Sequence, residues 1–183
     1  LELSHMRKSL KRTDRRPAKR HAKGPKLSRS EAEEFGPGKL DILFCSEGDE
    51  VYYRKSWHHN LRRYPYLKET KPVSFKLCPY HQMKKNRQWE GEVRIAGVPE
   101  KYREQILKTA GGVSDESYRR DPMHRILNIK SAKKELVIYT SENQLASRIA
   151  KRVSESVKNH FLRPEVHKAK GGDPVLITME WKS

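Results

Sequence analysis

The fold turns on the stretch Arg125-Ile-Leu-Asn-Ile-Lys130, Ser131-Ala-Lys-Lys134, Glu135-Leu-Val-Ile-Tyr-Thr140, Ser141-Glu-Asn-Gln144 and on through Val157. Two short apolar runs joined by four polar residues have the spacing of a hairpin, so 125–130 and 135–140 are predicted to pair antiparallel. Ser141 and Gln144 then stand three apart, the spacing of a capping box. After them Leu145, Ile149, Val153 and Val157 recur every four residues, with Phe161 closing the stripe. This is the period of a helix with one buried face.

Working outward, Trp89, Gly91, Val93 and Ile95 alternate with Glu90, Glu92 and Arg94, which predicts a strand that stops at Gly97. Pro99 suits the first turn of a helix. Tyr102, Ile106 and Ala110, with Leu107 beside them, form its apolar face, and Gly111-Gly112 is expected to end it. Asp121-Pro122 is a second break, ahead of the hairpin. At the far end Val175, Ile177, Met179 and Trp181 alternate with Leu176, Thr178, Glu180 and Lys182 as a last strand. The order strand, helix, strand, strand, helix, strand predicts an α+β fold of the ferredoxin-like βαββαβ type, a four-stranded antiparallel sheet with both helices on one face, over 89–183.

The segment 39–88 is different. Leu40, Ile42, Leu43 and Phe44 lead into Cys45, and Val73, Phe75 and Leu77 lead into Cys78-Pro-Tyr-His81. Two strand-like runs each delivering a cysteine predict a small two-knuckle module. Before it, residues 7–38 contain no Val, Ile, Trp or Tyr and a single aromatic, Phe35. Such a stretch cannot bury enough apolar surface to offset the entropy of ordering it. Residues 1–38 are therefore read as vector-derived residues Leu1 to His5 followed by a disordered basic arm ending at the hinge Gly36-Pro-Gly38.

Lys and Arg number 40 against 23 Asp and Glu, a formal charge of +17 in 183 residues. Residues 1–30 hold eleven of the cations against Glu2 and Asp14, a net of +9, leaving +8 for the rest. More than half of the excess thus sits in the arm, and it points to a polyanionic partner. No run approaches the roughly 18 apolar residues of a membrane span, and two cysteines cannot make a disulfide scaffold, so a cytoplasmic protein that does not enter a membrane is expected. There is no Gly-rich phosphate loop, no nucleophile elbow and no carboxylate pair set apart from the surface acids. No catalytic residue is assigned, and a metal-assisted nuclease is the enzymatic alternative.

Two groups of residues carry binding chemistry. Cys45, Cys78 and His81 are candidate metal ligands, because Cys78 and His81 have the spacing that lets two side chains close on one ion. Zinc is the metal such donors suit, with the fourth ligand left among Glu47, Asp49, His58 and His59. The alternative is a pair of isolated thiols in a metal-free knuckle. The second group is basic. In the arm Arg7, Lys8, Lys11, Arg12, Arg15, Arg16, Lys19, Arg20 and Lys23 can track phosphates without reading sequence. Arg54, Lys55, Trp57, Arg62, Arg63, Lys84, Lys85 and Arg87 interleave cations with aromatics, the mixture that pairs phosphates and stacks unpaired bases. A local packing cluster around Trp57 is the competing reading.

The run from Cys45 through Val51-Tyr-Tyr53 and Trp57, then Cys78-Pro-Tyr-His81, Glu90-Gly91, Arg103-Glu104 with Ile106-Leu107, Asp121-Pro122, Val137 to Thr140 and Leu145 to Ile149, resembles small bacterial proteins related to the nonsense-mediated-decay-type adaptor of the large ribosomal subunit. The resemblance spans about residues 40–182. It implies two zinc-binding Cys-x-x-Cys knuckles ahead of an α/β domain and association with ribosomes or RNA. This chain departs from that pattern at Gly48 and His81, where the family has cysteine. The expected function is a non-enzymatic RNA-binding protein associated with the ribosome or its precursors, with a DNA-binding or transcription-associated protein as the alternative.

Overall fold

The computed structural model describes residues 42–62, 65–70, 72–132, 135–157, 160, 164–168 and 174–182. All of them fall in the unit that begins at Leu40. The arm, Arg63, Tyr64 and Phe161 lie outside the described residues, and so do the expectations placed on them.

The expected α+β class holds, with two mixed sheets. In the first, β1 (Ile42–Cys45), β2 (Val51–Tyr53), β3 (Ser56–His58) and β4 (Val73–Lys76) lie in the order β3-β2-β1-β4. β1 and β2 form a hairpin, whereas β1 and β4 run parallel, pairing Phe44 with Phe75 and Cys45 with Lys76. Parallel strands end on the same side of a sheet, so both cysteine-bearing segments finish together. The short helix α1 (Leu67–Thr70) and the preceding loop cover one face, where Leu61 and Leu67 pack on Ile42, Val51 and Tyr53.

The segment after Cys78 is not the expected knuckle. Pro79 occupies the first turn of helix α2 (Pro79–Asn86), with Cys78 as its N-cap. Proline lacks the N–H that the first turn leaves unpaired anyway and is preset to helical φ, so it starts a helix here.

The second sheet contains β5 (Gly91–Ala96), β6 (Ile126–Ser131), β7 (Glu135–Thr140), β8 (Glu165–Lys168) and β9 (Val175–Glu180) in the order β6-β7-β5-β9-β8. The hairpin β6/β7 agrees with the sequence reading. The antiparallel ferredoxin-like arrangement does not. β8, which carries one apolar residue and no usable period, forms an extra edge strand and pairs antiparallel with β9. One additional reversal of the chain turns β9 parallel to β5, pairing Val93 with Ile177 and Ile95 with Met179.

Two helices, α3 (Glu100–Arg120) and α4 (Asn143–Ser156), pack against each other and enclose the main core with the sheet. Leu145, Ile149 and Val153 are fully buried and Val157 nearly so. Each such side chain contributes roughly 1.5–3 kcal/mol of transfer free energy. Helix α3 does not stop at Gly111-Gly112 as expected. Val113, Ser114 and Ser117 continue the buried stripe of Ile106 and Ala110, and Ser114 Oγ accepts a hydrogen bond from Ile126 N at 3.0 Å. Packing on this second half outweighs the cost of about 1 kcal/mol per interior glycine. The helix ends at Asp121, whose extended φ of −141° is what a following proline favours.

The capping box also fails. The N-cap of α4 is Glu142, with no side-chain cap. Ser141 Oγ is used instead on the chain before β6, donating to Met123 O at 2.7 Å and accepting from Arg125 N at 2.8 Å. Gly91 has a packing reason: a Cβ there would stand 2.4 Å from Thr140 Oγ1 and 2.6 Å from Ala146 Cβ, so only glycine lets the start of α4 close on the sheet.

Candidate metal centre

A third, smaller core joins the two sheets. Cys45, Cys78, Tyr80 and Leu127 are buried in it, with Trp57, Met83, Met123 and Tyr139 packed around them. The metal-ligand candidates lie at this joint. β1 delivers Cys45, β4 leads into Cys78, and His81 follows on the first turn of α2, where residues three apart share a face. His81 Nδ1 lies 3.2 Å from Cys45 Sγ and 3.1 Å from Cys78 Sγ.

The residue that stands at the fourth position of the cluster is Glu50, and none of the four expected candidates joins it. Glu50 Oε2 stands 3.7 Å from His81 Nδ1 and 3.9 Å from Cys78 Sγ. The hairpin register explains why: with Phe44 opposite Val51, Cys45 faces Glu50, and Cys45 N donates to Glu50 O at 2.8 Å. Residues directly opposite in an antiparallel pair point to the same face. Glu47 and Asp49 sit exposed on the intervening turn. His58 stacks on the Tyr53 ring at 3.9 Å, and His59 Nε2 reaches Tyr118 O at 2.5 Å, so neither approaches the thiols. The cross-strand position of Glu50 is readable in principle from the turn between Cys45 and Val51, but a two-residue ligand spacing does not reach it.

The donor atoms of Cys45, Glu50, Cys78 and His81 all lie within 4.8 Å of one another, and this is the one such group among the described residues. Tetrahedral zinc with bonds of about 2.0–2.3 Å holds neighbouring donors roughly 3.3–3.8 Å apart. Four of the six separations, at 3.1, 3.2, 3.7 and 3.9 Å, lie in or near that range and all six are within 4.8 Å, so the cluster could hold a metal ion. Burial pushes the Cys78 thiol up to about 12, and Cys45 and Glu50 push the same way against the opposing backbone hydrogen bond at His81. A cation among these acceptors inverts that balance.

Gly48 explains how the carboxylate fits. A Cβ at that position would lie 2.2 Å from Glu50 Oε2 and 2.8 Å from His81 Cε1. The Glu50 carboxylate occupies the space that a side chain at 48 would enter.

The carboxylate is also held from the second sheet. Arg125 Nη2 donates to Glu50 Oε1 at 2.6 Å, and its guanidinium lies 3.6 Å from the Tyr80 ring centroid and 4.9 Å from that of Tyr118. Carboxylate, cation and rings thus meet in one contiguous cluster between α2, α3 and the start of β6. Nothing in the sequence marked Arg125 or Tyr118 for this position.

The basic candidates are dispersed. Arg54 and Lys55 form the tip of the β2/β3 hairpin with φ of 49° and 66°, and Lys84, Lys85 and Arg87 lie exposed at the C-terminal end of α2. Trp57 is half-buried, edge-on to Tyr52 at 5.6 Å and packed on the cysteine cluster, which is the packing alternative. Arg62 is exposed beside a cleft that Phe44 and Phe75 also line. No described helix is long and apolar enough to cross a membrane. No family model, curated protein or solved structure matches the chain.

Proposed function

We propose that the chain is a non-enzymatic RNA-binding protein of ribosomal particles, with structural zinc at Cys45, Glu50, Cys78 and His81. The observation that carries this reading is the closed donor set combined with the charge. Four protein donors within 4.8 Å of one another would complete a tetrahedral zinc shell and leave no position for the water that a catalytic zinc needs. Zinc there ties β1, β4 and α2 together, and through Glu50 and Arg125 it tethers the first sheet to the second. The +17 chain supplies the attraction to phosphate, with the arm's +9 as its larger share. Every phosphate that goes unneutralised lowers the logarithmic salt slope by about 0.7 to 0.9.

Sucrose-gradient sedimentation of lysate at low and high salt tests the reading. Co-migration with a ribosomal particle, lost on removing residues 7–30 or on raising salt, is expected. Free protein at the top of the gradient at every salt concentration overturns it, and preferential retention on duplex DNA gives the function to the DNA-binding alternative. Elemental analysis of protein purified without chelator tests the metal, with one zinc per chain expected.

A further inference from the structure

The most exposed large apolar side chain among the described residues is Phe75, at 75%. It lies on β4, an edge strand whose four residues are all exposed. The register places it beside Phe44, and the two ring centroids stand 6.0 Å apart at 37°. Leu61, Leu67 and α1 cover the rest of this face but stop short of Phe75. Cations flank the rings: Lys68 Nζ stands 5.0 Å from the Phe44 centroid, and Arg62 lines the same cleft of about 580 Å³. Cys45 and Gly48 of the metal centre form part of its wall.

We infer that this cleft is a stacking site for an unpaired nucleobase of single-stranded RNA, with Phe75 and Phe44 as the platform and Lys68 and Arg62 on the flanking phosphates. The inference rests on the RNA-binding reading above and assigns its base contact. An apolar surface alone would suit many partners. Here the aromatic floor is bordered by Lys68 and Arg62 against a single acid, Asp49, on a strongly basic chain, a net positive rim that complements a flat base on an anionic backbone. The volume lies within the range of about 300–1,000 Å³ that holds small organic ligands.

The test uses the full chain and a short, unstructured RNA carrying one fluorescent base analogue, titrated at several salt concentrations. Stacking on an aromatic ring is non-ionic, so Phe75→Ala is expected to weaken binding about 5- to 150-fold with an unchanged salt slope. Phe75→Trp keeps both the affinity and the quenching of the analogue. Lys68→Gln lowers the slope by about 0.7. Because Phe75 is exposed, its variants should melt at the wild-type temperature, which separates binding from folding. Wild-type affinity and undiminished quenching in Phe75→Ala, with binding abolished by deletion of residues 7–30, would overturn the stacking site and leave the RNA reading standing. Loss of a wild-type dimer in Phe75→Ala without change in RNA affinity gives the cleft to a second copy of the chain and overturns the inference. Absence of any RNA binding by the wild type overturns both readings.

Discussion

Replacing Glu50 separates the two roles assigned to its carboxylate. The side chain is 3% exposed, and Arg125, only 19% exposed, depends on it for charge neutralisation at 2.6 Å. Removing one partner of a buried ion pair costs about 3–5 kcal/mol, because the other charge is left uncompensated. Arg125 keeps its contacts with Tyr80 and Tyr118 and some water, so Glu50→Ala should fall at the lower end, about 3 kcal/mol. That is a large share of the total for a domain whose stability is roughly 5–15 kcal/mol. Glu50→Gln retains an oxygen for Arg125 and should lose about 1–2 kcal/mol in chelator. Its amide is a poor zinc donor, however. A structural zinc site is worth about 10–16 kcal/mol, so losing one donor of four removes roughly 3 kcal/mol, or about a hundredfold in affinity. Urea unfolding followed by tryptophan fluorescence in chelator measures the first effect, with Trp57 packed on the cluster as the reporter. Competition with a chromophoric chelator measures the second. Zinc affinity of Glu50→Gln within about threefold of wild type would refute Glu50 as a ligand. Glu50→Ala as stable as wild type in chelator would refute the buried pair.

The same geometry sets three further outcomes. Gly48→Cys should expel the Glu50 carboxylate and weaken zinc binding, whereas the double variant Gly48→Cys with Glu50→Ala should recover a Cys3His set, measured by the same competition; additive losses would refute the exchange of positions. Nothing lies within 4 Å of a Cβ built at Gly111 or Gly112, so alanine at either should stabilise α3 by up to about 1 kcal/mol and raise the melting temperature by roughly 2–4 °C. A lower melting temperature would show that the glycines serve packing. Ile149→Ala, at a fully buried position between helix and sheet, should cost about 2–5 kcal/mol in urea unfolding, and a loss below about 1 kcal/mol would argue against the α4 register.

What the chain could determine by itself was local and periodic. The stripe from Leu145 to Val157, the alternation of β5 and β9 and the hairpin β6/β7 were legible because burial on one face repeats with the geometry of the element. Cys45, Cys78 and His81 were legible as a group from residue type and the spacing within α2. Tertiary structure decided whatever depended on a partner distant in sequence. Glu50 entered the cluster through hairpin register, and Arg125 through a contact 75 residues away. Gly111 and Gly112 stayed helical because burial of Val113 and Ser117 against the sheet offsets their entropy, and Ser141 left its cap for the backbone near Met123 and Arg125. The reversal of β9 was the largest such effect. It came from β8, a strand with too little apolar pattern to announce itself, whose antiparallel pairing with β9 adds one reversal to the chain and depends on a neighbour that the local sequence does not specify.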